Sequence, residues 1–269
     1  MPSDTLSIPP AQKTKLKDLL AIWPENAIFI ATELKRLGYS SELIFKYTKS
    51  KWLKQIAPRV YARFQDSPSW QAIVCALQTQ MNSKIYIGGK TALEIHGFIQ
   101  YVPMNYRTIH LYSPINHYFP KWLLIENTTD ARIIHYSSNI FGKVELLGLT
   151  DKEDSNFKIK ISTPERAILE MLHHIPSNQS FIESAEIMEF LVGLRPVLLN
   201  ELLNVCQSIK VRRLFLFLAD LNQHPWFKEI NFDLNLGKGK RVVEKNGVFN
   251  KKYLITVPKE LTQKEEDYE

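Results

Sequence analysis

The stretch SSELIFKYTKSKW, residues 40–52, decides how the N-terminal part of this chain is read. Leu43, Ile44 and Tyr47 recur at spacings of three and four, the apolar side of a helix. Glu42, Phe45, Lys46, Lys49 and Ser50 fall on the other side. Ser40 stands where an N-cap side chain accepts a bond from the first turn, so a helix is expected over Ser41 to Trp52. Such a helix has an apolar back and a front of two lysines, a serine and an aromatic edge. That front suits a DNA major groove, with lysines against phosphates or guanine and Phe45 against a thymine methyl.

Working outward, Leu16, Leu19, Leu20 and Trp23 predict a helix over Gln12 to Trp23, ended by Pro24 and Asn26. A second helix is expected from Phe29 to Leu37, closed by Gly38 as its C-terminal cap. After residue 52, Val60, Ala62 and Phe64 alternate with Arg59, Tyr61 and Arg63. Within Lys54 to Phe64 this reads as a strand of a small hairpin, interrupted at Pro58, with Arg59 and Arg63 on its outer face. Helix, helix, turn, helix and hairpin are the order of a winged helix-turn-helix, placed at residues 12–66.

Charge points the same way. The whole chain carries +6, but Lys35, Arg36, Lys46, Lys49, Lys51, Lys54, Arg59 and Arg63 are opposed within their window by Glu42 alone. Eight basic residues against one acid make a footprint for a polyanion, where an ordinary solvated face would mix both signs. The expected DNA-contacting set is therefore Ser41, Glu42, Phe45, Lys46, Lys49, Ser50, Lys51, Lys54, Arg59 and Arg63. A further basic group, Lys210, Arg212, Arg213 and the lysines between Lys238 and Lys252, reads equally as a solvated rim or as added binding surface.

Asp66 to Ser69 reads as a linker, and residues 70–258 as a larger mixed α/β domain, so the fold class is α+β. Helices are expected at Trp70 to Gln80, Thr91 to His96, Phe181 to Gly193, Pro196 to Ile209 and Val211 to Gln223. Thr163-Pro164 opens another, reaching His174. Strands are expected at Ile85 to Ile87, Thr108 to Tyr112, Arg132 to Tyr136, Lys143 to Leu147 and Lys158 to Ile161, with a covering hairpin inside Asn231 to Val257. Residues 1–10 and Gln263 to Glu269 read as disordered ends.

Catalysis finds little support. Ile85-Tyr-Ile-Gly-Gly-Lys-Thr-Ala-Leu93 offers a strand, a glycine pair and a helix start, a frame able to cradle phosphate. A nucleotidyltransferase needs two alternating carboxylates on the next strand to hold its metal. Here those positions carry Thr108, His110 and Tyr112. Gly88-Gly89 then reads as a sharp turn that permits close packing. His173-His174 reads as a helix-end pair favoured by the helix dipole, and Glu165-Arg166 as a first-turn acid with an arginine bridging to a nearby acid. No catalytic residue, metal site or cofactor is expected. Cys75 and Cys206 sit among apolar neighbours as free thiols, no apolar run approaches the roughly 18 residues of a membrane span, and residues 1–10 lack a signal peptide's regions. A reducing cytoplasm is the expected compartment.

Three features taken together carry a resemblance: a basic winged helix ending in Val60-Tyr61, the motif Tyr86-Ile-Gly-Gly-Lys-Thr-Ala-Leu-Glu-Ile-His-Gly97, and Ser162-Thr-Pro-Glu-Arg-Ala-Ile-Leu-Glu170. Over residues 12–258 the chain resembles the AbiEi antitoxin family of type IV toxin–antitoxin systems. The resemblance implies a repressor that binds inverted repeats of double-stranded DNA in its own promoter. It also implies that the chain counteracts a co-encoded nucleotidyltransferase-like toxin, AbiEii, without a stable complex. The family often has glycine before the Val-Tyr pair, where this chain has Pro58-Arg59. Two other readings stand beside it: a winged helix used as a protein-docking module, and an enzyme acting on nucleic acid.

Overall fold

A computed structural model describes residues 10–99, 107–124, 129–154, 157–231 and 234–266. The chain opens with α1 (Pro10–Ile22), β1 (Ile28–Ile30), α2 (Ala31–Arg36) and α3 (Ser41–Lys49). The hairpin β2 (Leu53–Ala57) and β3 (Val60–Arg63) follows. Leu16 and Leu19 of the first helix, Trp23 just beyond it, Leu34 of the second and Leu43, Ile44 and Tyr47 of the third bury one shared apolar core. Three short helices cannot hold themselves in water, so this core is what fixes their geometry.

The hairpin joins a three-stranded antiparallel sheet of order β1-β3-β2, which completes a winged helix. Two expectations change here. Ile28-Phe29-Ile30 is a strand paired to Ala62-Tyr61-Val60, not the first turn of a helix. The helix after Ser40 stops at Lys49, and Lys51 adopts φ 57° on the way to β2. Pro58 and Arg59 form the hairpin turn itself. Proline fixes the first backbone angle and Arg59 takes φ 66°, a position where a turn usually prefers glycine.

The second part begins with α4 (Trp70–Gln80), matching its expected span, and continues with β4 (Tyr86–Ile87), α5 (Gly89–Ile95), β5 (Arg107–Ser113) and β6 (Ala131–Ser137). It closes its sheet with β7 (Leu149–Asp154) and β8 (Phe157–Ser162). The five strands run in the order β6-β5-β4-β8-β7, mixed parallel and antiparallel. The strand expected at Lys143 to Leu147 lies in turns; the edge strand is the charged run that follows it. Beneath lie α6 (Pro164–His173), α7 (Phe181–Glu189), α8 (Pro196–Val205) and α9 (Ile209–Leu221). The hairpin β9 (Val248–Asn250) and β10 (Ile255–Val257) covers one end, and α10 (Lys259–Glu266) follows. Residues 263–266, expected to be disordered, are thus helical; residues 1–9 and 267–269 lie outside the described part.

One buried cluster runs through both parts. Ile28, Ala57, Val60 and Ala62 from the wing sheet join Trp70, Ile73, Val74 and Leu77 of α4 and the core of the five-stranded sheet. Among the described residues no helix is long and apolar enough to cross a membrane.

Candidate nucleic-acid interface

The front of α3 is built by its back. Leu43, Ile44 and Tyr47 are buried, and the Ser40 hydroxyl accepts from Leu43 N at 3.3 Å, which sets where the helix begins. Ser41, Glu42, Phe45, Lys46 and Lys49 then all face solvent. Phe45 is 61% exposed, and the Lys49 ammonium lies 5.5 Å from its ring centre. The ring and the lysine thus share one exposed patch on the front of α3. Ser50 caps the helix end, donating its hydroxyl to Lys46 O at 2.6 Å, which leaves it a local role. The Ser40 hydroxyl and the helix's own first-turn amide hold the Glu42 carboxyl below the ordinary range, so it is ionised.

The wing contributes less than expected. Lys51 is exposed just past the helix, Lys54 is half-buried on β2, and Arg59 projects from the hairpin turn. Arg63 does not join them. Its guanidinium turns inward and donates to Leu20 O at 2.8 Å and to Trp23 O, closing the C-terminal end of α1. Tyr61 packs against the three-helix core. The outer-face assignment fails because β3 is the central strand of its sheet, with Val60 and Ala62 in the larger buried cluster on one side and Tyr61 against the three-helix core on the other. Trp52, expected to end the helix, is instead 46% exposed between Lys51 and β2 and belongs with this surface. An aromatic residue between lysines was the signal for it.

The second basic group also divides. Arg213 is fully buried, and its guanidinium donates to Leu236 O, Gly237 O, Gly239 O and Leu254 O at 2.8–3.1 Å. It folds the segment around 236–239 and offers nothing to a partner. Lys238, Lys240, Arg241, Lys245, Lys251 and Lys252 remain exposed.

The two motifs that look like chemistry meet in one buried network. Glu170, 1% exposed, accepts from Arg166 Nε and Ser162 Oγ at 2.8 Å and from Tyr86 OH and Gly89 N at 3.0 Å. Arg166 also donates to Glu145 O at 2.9 Å, Leu147 O at 2.6 Å and Tyr86 OH at 2.7 Å. Burial pushes the Tyr86 hydroxyl far up, with the Glu170 charge adding to it. The glycine turn, a frame of the kind that cradles phosphate, therefore holds the chain's own carboxylate. A Cβ on Gly88 would stand 2.3 Å from Glu170 Oε2, which is why glycine is needed there.

The positions where a metal-binding transferase carries acids are filled by rings. His110 Nδ1 lies 2.9 Å from Thr91 Oγ1, Tyr112 OH lies 3.0 Å from His174 Nε2, and the Tyr136 and His174 rings stack at 3.8 Å. Burial depresses both His110 and His174 to about 4 and lowers His173, so these rings are neutral at pH 7. Burial thus works against the expected favourable charge of His173-His174 on the helix dipole. Among the described residues no group of three His, Cys, Asp or Glu side chains could hold a metal ion.

Family models match the chain in two consecutive stretches. The N-terminal domain of AbiEi antitoxin transcriptional regulators matches residues 12–104, and the AbiEi antitoxin of type IV toxin–antitoxin systems matches residues 106–258. The chain belongs to the AbiEi antitoxin family of transcriptional regulators. The AbiEi fold seen here is similar to the crystal structure of the RV2827C protein from Mycobacterium tuberculosis. The TM-score is 0.64 at 13% identity, over 97% of this chain and 96% of that one. At that identity the likeness speaks for the fold. No curated protein matches. In this AbiEi chain the N-terminal match extends past the wing to include α4 and α5.

Proposed function

We propose that this chain represses its own toxin–antitoxin operon by binding inverted repeats of double-stranded promoter DNA, and that it acts in the cytoplasm. The observation that supports this most is the front of α3, where Ser41, Glu42, Phe45, Lys46 and Lys49 stand open over a fully buried back. Lys46, Lys49, Lys51, Lys54 and Arg59 form the phosphate-facing set, and Phe45 supplies an apolar edge for a base. Arg63 is left out, because its donors face α1. The winged helix of residues 12–66 is the reader. The domain of residues 70–258 counteracts a nucleotidyltransferase-like toxin without a stable complex. No catalytic step is assigned to it, since the glycine turn at Gly88-Gly89 is filled by Glu170.

The test is a gel shift of the full chain on its own promoter, with Lys46→Ala/Lys49→Ala as the variant. Wild-type affinity should fall steeply with salt, and losing two phosphate contacts should flatten that slope by about 2. A folded double variant with unchanged affinity would remove α3 as the reader. Exposed Phe45 and Trp52 on the same basic surface favour a second reading, a protein-docking winged helix. A stable co-purified partner together with no DNA affinity would decide for it.

A further inference from the structure

The last turn of α4 reads Gln78-Thr79-Gln80, and its two glutamines reach different sheets. Gln80 faces the wing. Its Oε1 accepts from Ile30 N at 2.8 Å, and its Nε2 donates to Ile28 O at 2.9 Å. Ile28 and Ile30 lie two residues apart on the edge of β1 away from β3. A residue of an added parallel strand would bond its neighbour with this spacing, so the carboxamide stands in for a fourth strand. Gln78 faces the larger sheet. Its Oε1 accepts from Lys160 N at 2.8 Å, and its Nε2 donates to Lys160 O at 3.2 Å and Ile85 O at 2.8 Å. Lys160 lies on β8, one residue beyond the pairing of short β4, which ends at Ile161. Thr79 between them turns back to bond Cys75 O at 2.8 Å.

We infer that Gln78 and Gln80 form a two-ended amide clasp that fixes the winged helix on the second domain, with Gln80 a positioning residue for α3. Apolar packing of Ile28, Val60 and Ala62 on α4 holds two faces together but is non-directional. Hydrogen bonds at both ends of one helical turn supply direction, because each is lost within an ångström of sliding. β1 shares its sheet with the β2–β3 hairpin, and α3 packs on the core beside them, so a fixed β1 fixes the reading face.

The experiment uses full-length Gln80→Ala, Gln78→Ala and Gln80→Glu. Amide hydrogen exchange should rise about tenfold or more at Ile30 in Gln80→Ala and at Lys160 in Gln78→Ala, each without the other. Gln80→Glu keeps the acceptor for Ile30 N but loses the donor to Ile28 O, so protection at Ile30 should fall between wild type and Gln80→Ala. Both alanine variants should be cleaved faster by protease between residues 64 and 69. Operator affinity should fall about threefold to tenfold in both, since a freed reader must be ordered on binding. This last readout rests on the DNA-binding proposal; exchange and cleavage do not, so a wild type that ignores DNA leaves the clasp tested. Protection at Ile30 unchanged in Gln80→Ala, or cleavage at 64–69 unchanged in both alanine variants, would overturn the clasp.

Discussion

The front of α3 and the network around Glu170 both gather charged, hydroxyl and aromatic side chains and use them in opposite ways. On α3 the lysines stand in solvent over an apolar back. Around Glu170, tyrosine, serine, arginine and a backbone amide converge on one carboxylate that the chain itself supplies. The second region has the more enzyme-like motifs, and it is the closed one. The difference teaches that a motif's chemistry is judged by which of its donors are already committed. Arg59 and Arg63 repeat the lesson within one hairpin, since one faces solvent and the other closes a helix.

The contrast can be broken most forcefully at Glu170. Glu170→Ala leaves the Arg166 guanidinium buried without its partner and should destabilise the fold by about 3–5 kcal/mol in chemical denaturation. A loss below 1 kcal/mol would mean that the network is ornamental. Lys46→Ala/Lys49→Ala should do the reverse. Stability should hold within about 0.5 kcal/mol, while operator affinity drops about tenfold or more. Arg63→Ala should cost about 1–2 kcal/mol of stability, because carbonyls of Leu20 and Trp23 lose a charged donor.

The ring cluster gives a pH test. His110 and His174 titrate near 6.5 unfolded and near 4 folded, so the unfolded chain binds more protons between those values. Their contribution is complete above about pH 6.5 and is lost as pH falls towards 4, by at most about 1.4 kcal/mol per unit for each. Denaturation midpoints at pH 7, 6 and 5 would show the decline, and His110→Gln should flatten it. The smallest effect belongs to Arg59→Ala, with a fewfold loss of operator affinity and no change in melting. An Arg59→Ala variant that melts early would place Arg59 with Arg63.

Much of this was legible in local sequence. Ser40 and Thr163 mark their helix starts, and α4 spans the residues its pattern predicts. The apolar back of α3 alone separates its buried from its exposed residues. What escaped depended on distant partners. Ile28-Phe29-Ile30 becomes a strand because Val60 to Ala62 pair with it from thirty residues away. The edge strand β7, Leu149–Asp154, is half acidic and hides its pairing, which is supported by Asp151 bonding Lys160 across the strands. Arg63 gave no sign of the carbonyls at the end of α1. Within the candidate interface, the helix face was readable and the wing was not, because a strand's outer side exists only once its neighbours are placed.

The shared core under α4 bears on how such proteins can be recombined. A cut between residues 64 and 69 looks natural from composition, yet it would strip cover from Ile28, Val60 and Ala62. The smallest unit that keeps those residues covered is therefore the winged helix together with α4, severed after Gln80. A chimaera joined there would carry the wing's floor with it, and its host would have to offer α4 a sheet face in place of β8, including partners for Gln78.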